Sequence, residues 1–313
     1  MAIGIDPTVD YAFKLLLGSP EHPLITLHFL NAILGDEIEV AEVEILNPIL
    51  GKEDDNDKLS ILDVSARDST GRLYDIEMQT SLPSGLAERL AYYTASLYVG
   101  QIGEGEDYTQ LRPAISICVL DAILFHQTQE TRSDFRLRNR SGELDLTDGL
   151  QIHLLELPKY TPPSDNRVIS DPIEAWLYFF RRADKMTTEE IKDRFQSPAF
   201  SEAAEVLDMI QRTPQQRSQY ELRLKAQRDE RARMQYAVEQ ARAEGEARGE
   251  ARGEARGEAR GEARGEARGR LLGQVEMLRG LLGLESPQAD ELSVEELTAI
   301  VDDLKQQLRD RGV

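Results

Sequence analysis

Residues 58–80 constrain the fold of this chain more than any other stretch, because they have the pattern of a β-hairpin. Two runs that alternate apolar and polar residues flank a short turn. Gly71 stands where a residue with a left-handed backbone would close a three-residue loop. A ladder closed around Thr70 would place Asp63 directly opposite Glu77.

Two carboxylates at opposing positions of a hairpin repel each other. Like charges directly across two strands destabilise a sheet, and protonation of one acid or a cation between them would remove the repulsion. Side chains alternate faces along a strand, so Asp75 and Gln79 share the face of Glu77. Carboxylate oxygens with a neighbouring amide suit Mg²⁺ or Mn²⁺. The residues alone leave a second interpretation open, in which Asp63 and Glu77 are both solvated on an open sheet face.

Asp63 and the later Glu77-Met78-Gln79 resemble the active-site motif of the PD-(D/E)XK nucleases, with glutamine in place of the usual lysine. This variant is similar to the recombination-promoting nuclease (Rpn) and transposase family. Three further stretches resemble the same family: the opening DPTVDYAFKLLLG (residues 6–18), the arginine- and tyrosine-containing residues 88–120, and the tail with glycines at four-residue spacing. The resemblance covers most of the chain.

The resemblance implies an α/β fold, with a restriction-endonuclease-like mixed-sheet core followed by a helical C-terminal extension. It implies a divalent-metal-dependent DNA endonuclease that is linked to recombination or derived from a transposon. Asp63 and Glu77 would bind Mg²⁺ together with the carbonyl of Met78, with Mn²⁺ or Ca²⁺ as alternative ions. Gln79 would orient the attacking water, and Asp10 would lie close to the metal and assist.

Contacts with DNA are expected from three residues of the stretches that resemble the family. Lys14 belongs to the opening motif and would supply a positive charge. Arg89 lies on an amphipathic segment and would touch a phosphate, while Tyr93 on the same segment would contact nucleic acid or brace the site. Packing of the tyrosine into the core is the alternative interpretation.

The charge of the chain opposes strong DNA binding. Its 313 residues include 57 acidic and 37 basic side chains, which gives a net charge of −20. Affinity for DNA without sequence preference comes mainly from Lys and Arg at phosphates, so we expect weak non-specific binding and a strong need for a divalent ion. Two other functions stay open: an inactive transposase relic that oligomerises or tethers DNA through its C-terminal helices, and a structural acidic protein whose facing acids bind nothing.

Cysteine and histidine usage excludes other kinds of site. Cys118 is the single cysteine and lies in an apolar run, so we expect a buried free thiol. The four histidines lack the spacing of zinc ligands. No signal peptide is visible, and no apolar run approaches the roughly 20 residues of a membrane span. We therefore expect a cytoplasmic protein that makes no membrane contact.

Hydrophobic periodicity predicts the element order α-β-β-β-α-β in the first half of the chain. We predict helices over residues 6–17 (with Asp6 as N-cap), 23–34 and 86–100, and strands over 40–50, 114–120, 135–140 and 150–157. From Pro172 the pattern is helical, and the aromatic cluster around Trp176 indicates a buried helix.

Four parts are predicted along the chain. Residues 1–165 form the nuclease-like core, and 166–243 form a helical region that ends in a charged stalk. Residues 244–270 contain a tandem Glu-Ala-Arg-Gly repeat and form a linker or a weak helix, because each glycine costs roughly 1 kcal/mol of helix stability. Residues 271–313 form a helical hairpin, whose apolar faces would be buried in a homodimer or by docking back on the stalk.

Overall fold

The computed structural model describes residues 1–46, 63–165, 167–285 and 292–310. Six strands form one mixed sheet in the order β1-β2-β3-β4-β6-β5. The pairs β3–β4 and β4–β6 are parallel, and the other three pairs are antiparallel. The strands are β1 Val43–Ile45, β2 Val64–Asp68, β3 Leu73–Gln79, β4 Ala114–Leu120, β5 Arg132–Arg138 and β6 Asp145–Glu156.

Helices cover both faces of this sheet. One face packs in the main core with helices α1 Asp10–Leu17, α2 Pro23–Leu34, α4 Pro172–Arg182 and α6 Pro198–Arg212, while α5 Thr188–Arg194 packs beside α6. The other face is covered by α3 Leu86–Val99, which buries Leu86 and Leu90 against Cys118 and Leu154. The predicted α/β fold, a mixed-sheet core followed by a helical C-terminal region, is confirmed, and so is the buried free thiol of Cys118.

The main core is centred on Trp176 of α4, as the aromatic cluster predicted. Its ring is fully buried and lies 4.7 Å from that of Phe200 and 5.2 Å from that of Phe29, measured between centroids. Its indole N–H donates to Nδ1 of His28 at 3.0 Å. Rings from three helices therefore meet at one point beneath the sheet.

The predicted hairpin is present, with the predicted register. Val64 pairs with Ile76, and Gly71 closes the loop with a φ of +88°. The ladder of β2 ends at Val64, so Asp63 lies just beyond it. Predicted strand residues 58–62 lie outside the described residues.

Several predicted boundaries were wrong. Strands β5 and β6 begin three and five residues earlier than predicted, at Arg132 and Asp145. The first helix begins at Asp10 instead of Asp6, because the Asp6 carboxylate accepts the backbone N–H of Thr8 at 2.8 Å and its hydroxyl at 2.7 Å, which forms a turn ahead of the helix. The strand before the hairpin was predicted to begin at residue 40, but β1 covers Val43–Ile45, and residues 47–50 of the prediction lie outside the described part of the chain.

Beyond the sheet the chain is helical. Helix α7 runs from Pro214 to Leu282 and includes the whole repeat. Of the two predicted alternatives, a linker or a weak helix, the structure therefore shows a helix. Helix α8 follows at Val294–Asp310. The chain divides into two compact units, Met1–Met234 and Gln235–Val313.

In the second unit, α8 packs against the end of α7. Their shared apolar cluster consists of Val275, Leu278, Leu282, Leu297, Val301, Leu304 and Leu308. The two apolar faces of the C-terminal segment therefore pack against each other, and the cluster includes no residue of the charged stalk on which docking was one of the two predicted arrangements. In the described ranges, every helix is too short or too polar to cross a bilayer.

Candidate metal-binding site

Asp63 is the residue that joins the two strands of the hairpin at their open end. Its Oδ2 accepts the backbone N–H of Met78 at 3.0 Å. The described ladder of β2 stops at Val64, so a side chain takes the place that a strand backbone would otherwise fill. The N–H and C=O of one strand residue face the same neighbour. The carbonyl of Met78 therefore points to the side on which Asp63 lies.

Three polar side chains follow one face of β3. Asp75 is fully buried and Glu77 is 3% exposed, whereas Gln79 is half-buried. The Gln79 amide donates to Oε2 of Glu77 at 3.3 Å, and the Ser116 hydroxyl donates to Oδ2 of Asp75 at 3.0 Å. Oδ1 of Asp75 is buried without a hydrogen-bond partner. The face therefore carries more acceptor atoms than its neighbours satisfy.

The acids of the site repel each other. Burial raises the pKa of Asp63, Asp75 and Glu77. The negative charge of Asp63 raises the pKa of Glu77 further, and the charge of Glu77 does the same for Asp75. A cation placed among these oxygens would relieve the repulsion.

Two basic side chains partly compensate this charge. Lys14 lies 2.9 Å from Oδ1 of Asp10 and 3.3 Å from Oδ1 of Asp63. Burial acts to lower the pKa of Lys14, but the charges of these two acids outweigh it, and the pKa is raised. Arg89 of α3 lies 3.5 Å from Oε2 of Glu77, and its guanidinium carbon lies 5.8 Å from the ring centroid of Tyr93.

The eight predicted site residues therefore form one connected set. It consists of Asp10, Lys14, Asp63, Glu77, Met78, Gln79, Arg89 and Tyr93. Their catalytic and binding roles stay predictions. Prediction from sequence assigned no role to Asp75 or to its partner Ser116. The alternation along β3 placed Asp75 on the correct face, but Ser116 belongs to β4, and no local pattern links it to the hairpin.

The donor set fits one divalent ion. Carboxylate and carbonyl oxygens are hard ligands of the kind that Mg²⁺ and Mn²⁺ prefer. Within the described residues, no three Asp, Glu, His or Cys side chains are arranged as a complete metal site. A third protein ligand would therefore come from the main chain, and the carbonyl of Met78 faces the required side.

Comparison with known families decides where the chain belongs. The family described as PD-(D/E)XK nuclease family transposase matches residues 7–237, which is most of the chain. The chain belongs to this family. No curated protein and no solved structure is significantly similar to it. The match spans α1, the hairpin, α3 and the first turns of α7, so the family resemblance read from the motifs is confirmed. Membership indicates a nuclease- or transposase-related function, and nucleases of this superfamily generally use divalent metals.

Proposed function

We propose that the chain is a divalent-metal-dependent DNA endonuclease, linked to recombination or derived from a transposon. One observation carries the proposal: the hydrogen bond from the Met78 N–H to Asp63 brings the first acid of the motif beside Glu77 and Gln79. A bound divalent ion would lower the pKa of a coordinated water and offset charge on the scissile phosphate. Asp63, Glu77 and the Met78 carbonyl would hold it, with Mg²⁺ as the expected ion and Mn²⁺ or Ca²⁺ as alternatives.

The other side chains position the reactants. The Gln79 amide, held by Glu77 at 3.3 Å, would orient the attacking water. A neutral amide adds no charge to the water. The cations at the site are Lys14, which contacts Asp10 and Asp63, and Arg89, which contacts Glu77. Arg89 would bind a phosphate, and the Tyr93 ring would limit the movement of its guanidinium.

Nicking of supercoiled plasmid across divalent ions tests this function. Because phosphoryl transfer depends on positioning and charge neutralisation, Asp63→Asn and Glu77→Gln should each lower the rate by about 10³-fold or more. Glu88→Gln, an exposed glutamate on α3, is the matched control and should nick at the wild-type rate. Equal nicking by wild type and Asp63→Asn would refute the assigned site.

Two further measurements separate the alternatives. Mg²⁺ or Mn²⁺ should raise the melting temperature of the wild type but not of Asp63→Asn. If the ions leave the melting temperature of the wild type unchanged and Asp63→Asn is more stable than the wild type, a purely structural acidic protein is supported. Binding of DNA without cutting, lost on removal of residues 271–313, would support the inactive relic.

We also propose a homodimer formed by the C-terminal helices. Met277 and Leu281 project from the end of α7 with 61% and 63% of their surface exposed, beside the apolar cluster that α7 shares with α8. Sedimentation of Met277→Lys/Leu281→Lys should give a monomer if this surface is the interface.

A cytoplasmic location is proposed because the single thiol is free and buried, as is usual in a reducing compartment.

A further inference from the structure

The first turns of α7 are part of the sheet unit and carry positive charge. Residues 214–234 contain six basic and three acidic side chains, in a chain whose net charge is −20. Tyr220 anchors this segment: it is 4% exposed, and its hydroxyl accepts the backbone N–H of Asp6 at 2.9 Å. Leu224 packs against the same core. A basic helix therefore lies fixed against an acidic candidate site.

Arg223 meets the acids on one side of that site. Its Nε lies 4.0 Å from Oδ2 of Asp10. The other oxygen of Asp10 binds Lys14, which in turn contacts Asp63. Half of the Arg223 side chain is exposed, so it is accessible to a large ligand that approaches the site.

Arg231 is linked to Gln79 through Asp121. Its NH2 is 2.6 Å from Oδ2 of Asp121, whose backbone N–H donates to the Gln79 carbonyl at 2.8 Å. Arg181 of α4 is 3.6 Å from the other oxygen of Asp121. Two guanidinium groups thus share one carboxylate, which leaves one positive charge in excess. The Nε of Arg231 is buried without a hydrogen-bond partner.

The spacing of the two arginines suits a nucleic-acid strand. They are eight residues apart, which is about 12 Å along a helix. That separation is within the span of two phosphates of one DNA strand, which carries a charge at every nucleotide. A strand held at both points would lie near Asp10, which Arg223 contacts, and near Gln79, to which Asp121 links Arg231.

A purely structural role accounts poorly for these contacts. Partly exposed ion pairs contribute little to stability, and Arg223 and Arg231 keep 50% and 40% of their side chains exposed. A guanidinium has five N–H donors, so a carboxylate can orient it while another edge binds a phosphate. An arginine that is already oriented loses less entropy when the phosphate binds.

We propose that Arg223 and Arg231 of α7 bind the phosphate backbone of duplex DNA beside the candidate site. This inference rests on the proposed function, because it takes DNA as the substrate. It makes the first turns of α7 a substrate-binding element of the nuclease unit. It also accounts for how so acidic a chain can hold DNA.

Binding of a fluorescent DNA duplex to the full chain, measured by anisotropy across a salt series in Ca²⁺, tests the inference. The unsubstituted chain is the parent protein, and the duplex recovered after each titration is checked for hydrolysis by electrophoresis. We expect Arg223→Gln/Arg231→Gln to weaken binding about tenfold or more at low salt and to reduce the slope of log K against log salt by about 2, because two phosphate contacts are lost. Melting temperatures establish that the variants are folded.

Lys225→Gln/Arg233→Gln is the matched control, since it removes the same charge from two exposed side chains of the same turns. It should leave the slope unchanged, and Arg223→Lys/Arg231→Lys should retain the wild-type slope. Equal weakening by both glutamine pairs, tighter binding by the Arg223/Arg231 pair, or no binding of DNA by the parent protein would each overturn the inference. Normal binding by a wild type that does not cut would leave the inference standing and remove the endonuclease proposal.

Discussion

Strand β3 and the repeat within α7 use their side chains in opposite ways. Six of the seven residues of β3 are buried, and the strand lies between β2 and β4 with helices on both faces. Residues 246–266 of the repeat are all exposed, and a Cβ added at any of its glycines would meet no atom within 4 Å. Each residue of β3 therefore has a partner on β4 that lies 41 residues further along the chain, whereas the repeat depends on its own helix alone.

The repeat within α7 and the residues just before it are stabilised by interactions within the helix. Arg242 pairs with Glu246 at 2.9 Å and Glu244 with Arg248 at 3.0 Å, each one helical turn apart. Such pairs contribute about 0.2–0.5 kcal/mol each. We therefore expect substitutions in the sheet unit to change stability by several times more than substitutions in the repeat helix.

The largest difference should follow the loss of an aromatic side chain. Trp176→Ala removes the ring at the centre of the main core and should destabilise the sheet unit by about 3–5 kcal/mol. Tyr236→Ala removes a ring that is 65% exposed on α7 and should change stability by less than about 0.5 kcal/mol. Differential scanning calorimetry measures both. Similar melting temperatures for the two variants would mean that the buried ring of Trp176 contributes no more to stability than the exposed ring of Tyr236.

A buried histidine should make the sheet unit sensitive to acid. Burial lowers the pKa of His153 to about 4, while Asp134 and Glu37 act to raise it and Arg132 and Arg136 to lower it. The unfolded chain binds this proton below a pH of about 6.5 and the folded chain only below about 4. Stability is therefore lost as the pH falls through that range, by up to about 3 kcal/mol.

The measurement is urea unfolding at pH 7.5 and pH 5, followed by the fluorescence of Trp176, the single tryptophan. His153→Met removes the titrating group, so it should lose less stability than the wild type on acidification. His126→Gln, at an exposed position, should keep the wild-type pH dependence. An unchanged loss in His153→Met would show that other groups cause the acid sensitivity.

Prediction from sequence was most successful where the determining contacts are local. The hairpin register followed from strand alternation and from Gly71, and the connection after β3 followed from an amphipathic pattern. The hydrogen bond from Met78 to Asp63 could not be predicted, because it depends on where the ladder of β2 ends. The partners of Arg223 and Arg231 lie more than a hundred residues away, and only the packing of α7 on the core brings them together.

Replacement of glycine by alanine should destabilise the sheet unit but stabilise the repeat helix. A Cβ at Gly149 of β6 would lie 2.8 Å from the Tyr98 ring, so Gly149→Ala should destabilise the sheet unit by about 1–3 kcal/mol. Gly257→Ala meets open space and should stabilise the repeat helix by about 1 kcal/mol. Calorimetry measures the first effect, and amide hydrogen exchange near residue 257, slowed about fivefold, measures the second. In the Tyr98→Ala background the cost of Gly149→Ala should disappear; if it persists, the ring contact is not its cause.

The smallest effect is expected from shortening the repeat. Deletion of residues 250–257 removes two Glu-Ala-Arg-Gly units and about 12 Å of helix. These residues are all exposed, so the melting temperature of the sheet unit should be unchanged and plasmid nicking should stay within about twofold of the full chain. Duplication of the same eight residues is the control for length and should be equally silent. A change in nicking of about tenfold with either variant, at an unchanged melting temperature, would mean that cutting depends on the length of the repeat. The contrast between β3 and the repeat would then hold for stability but not for function.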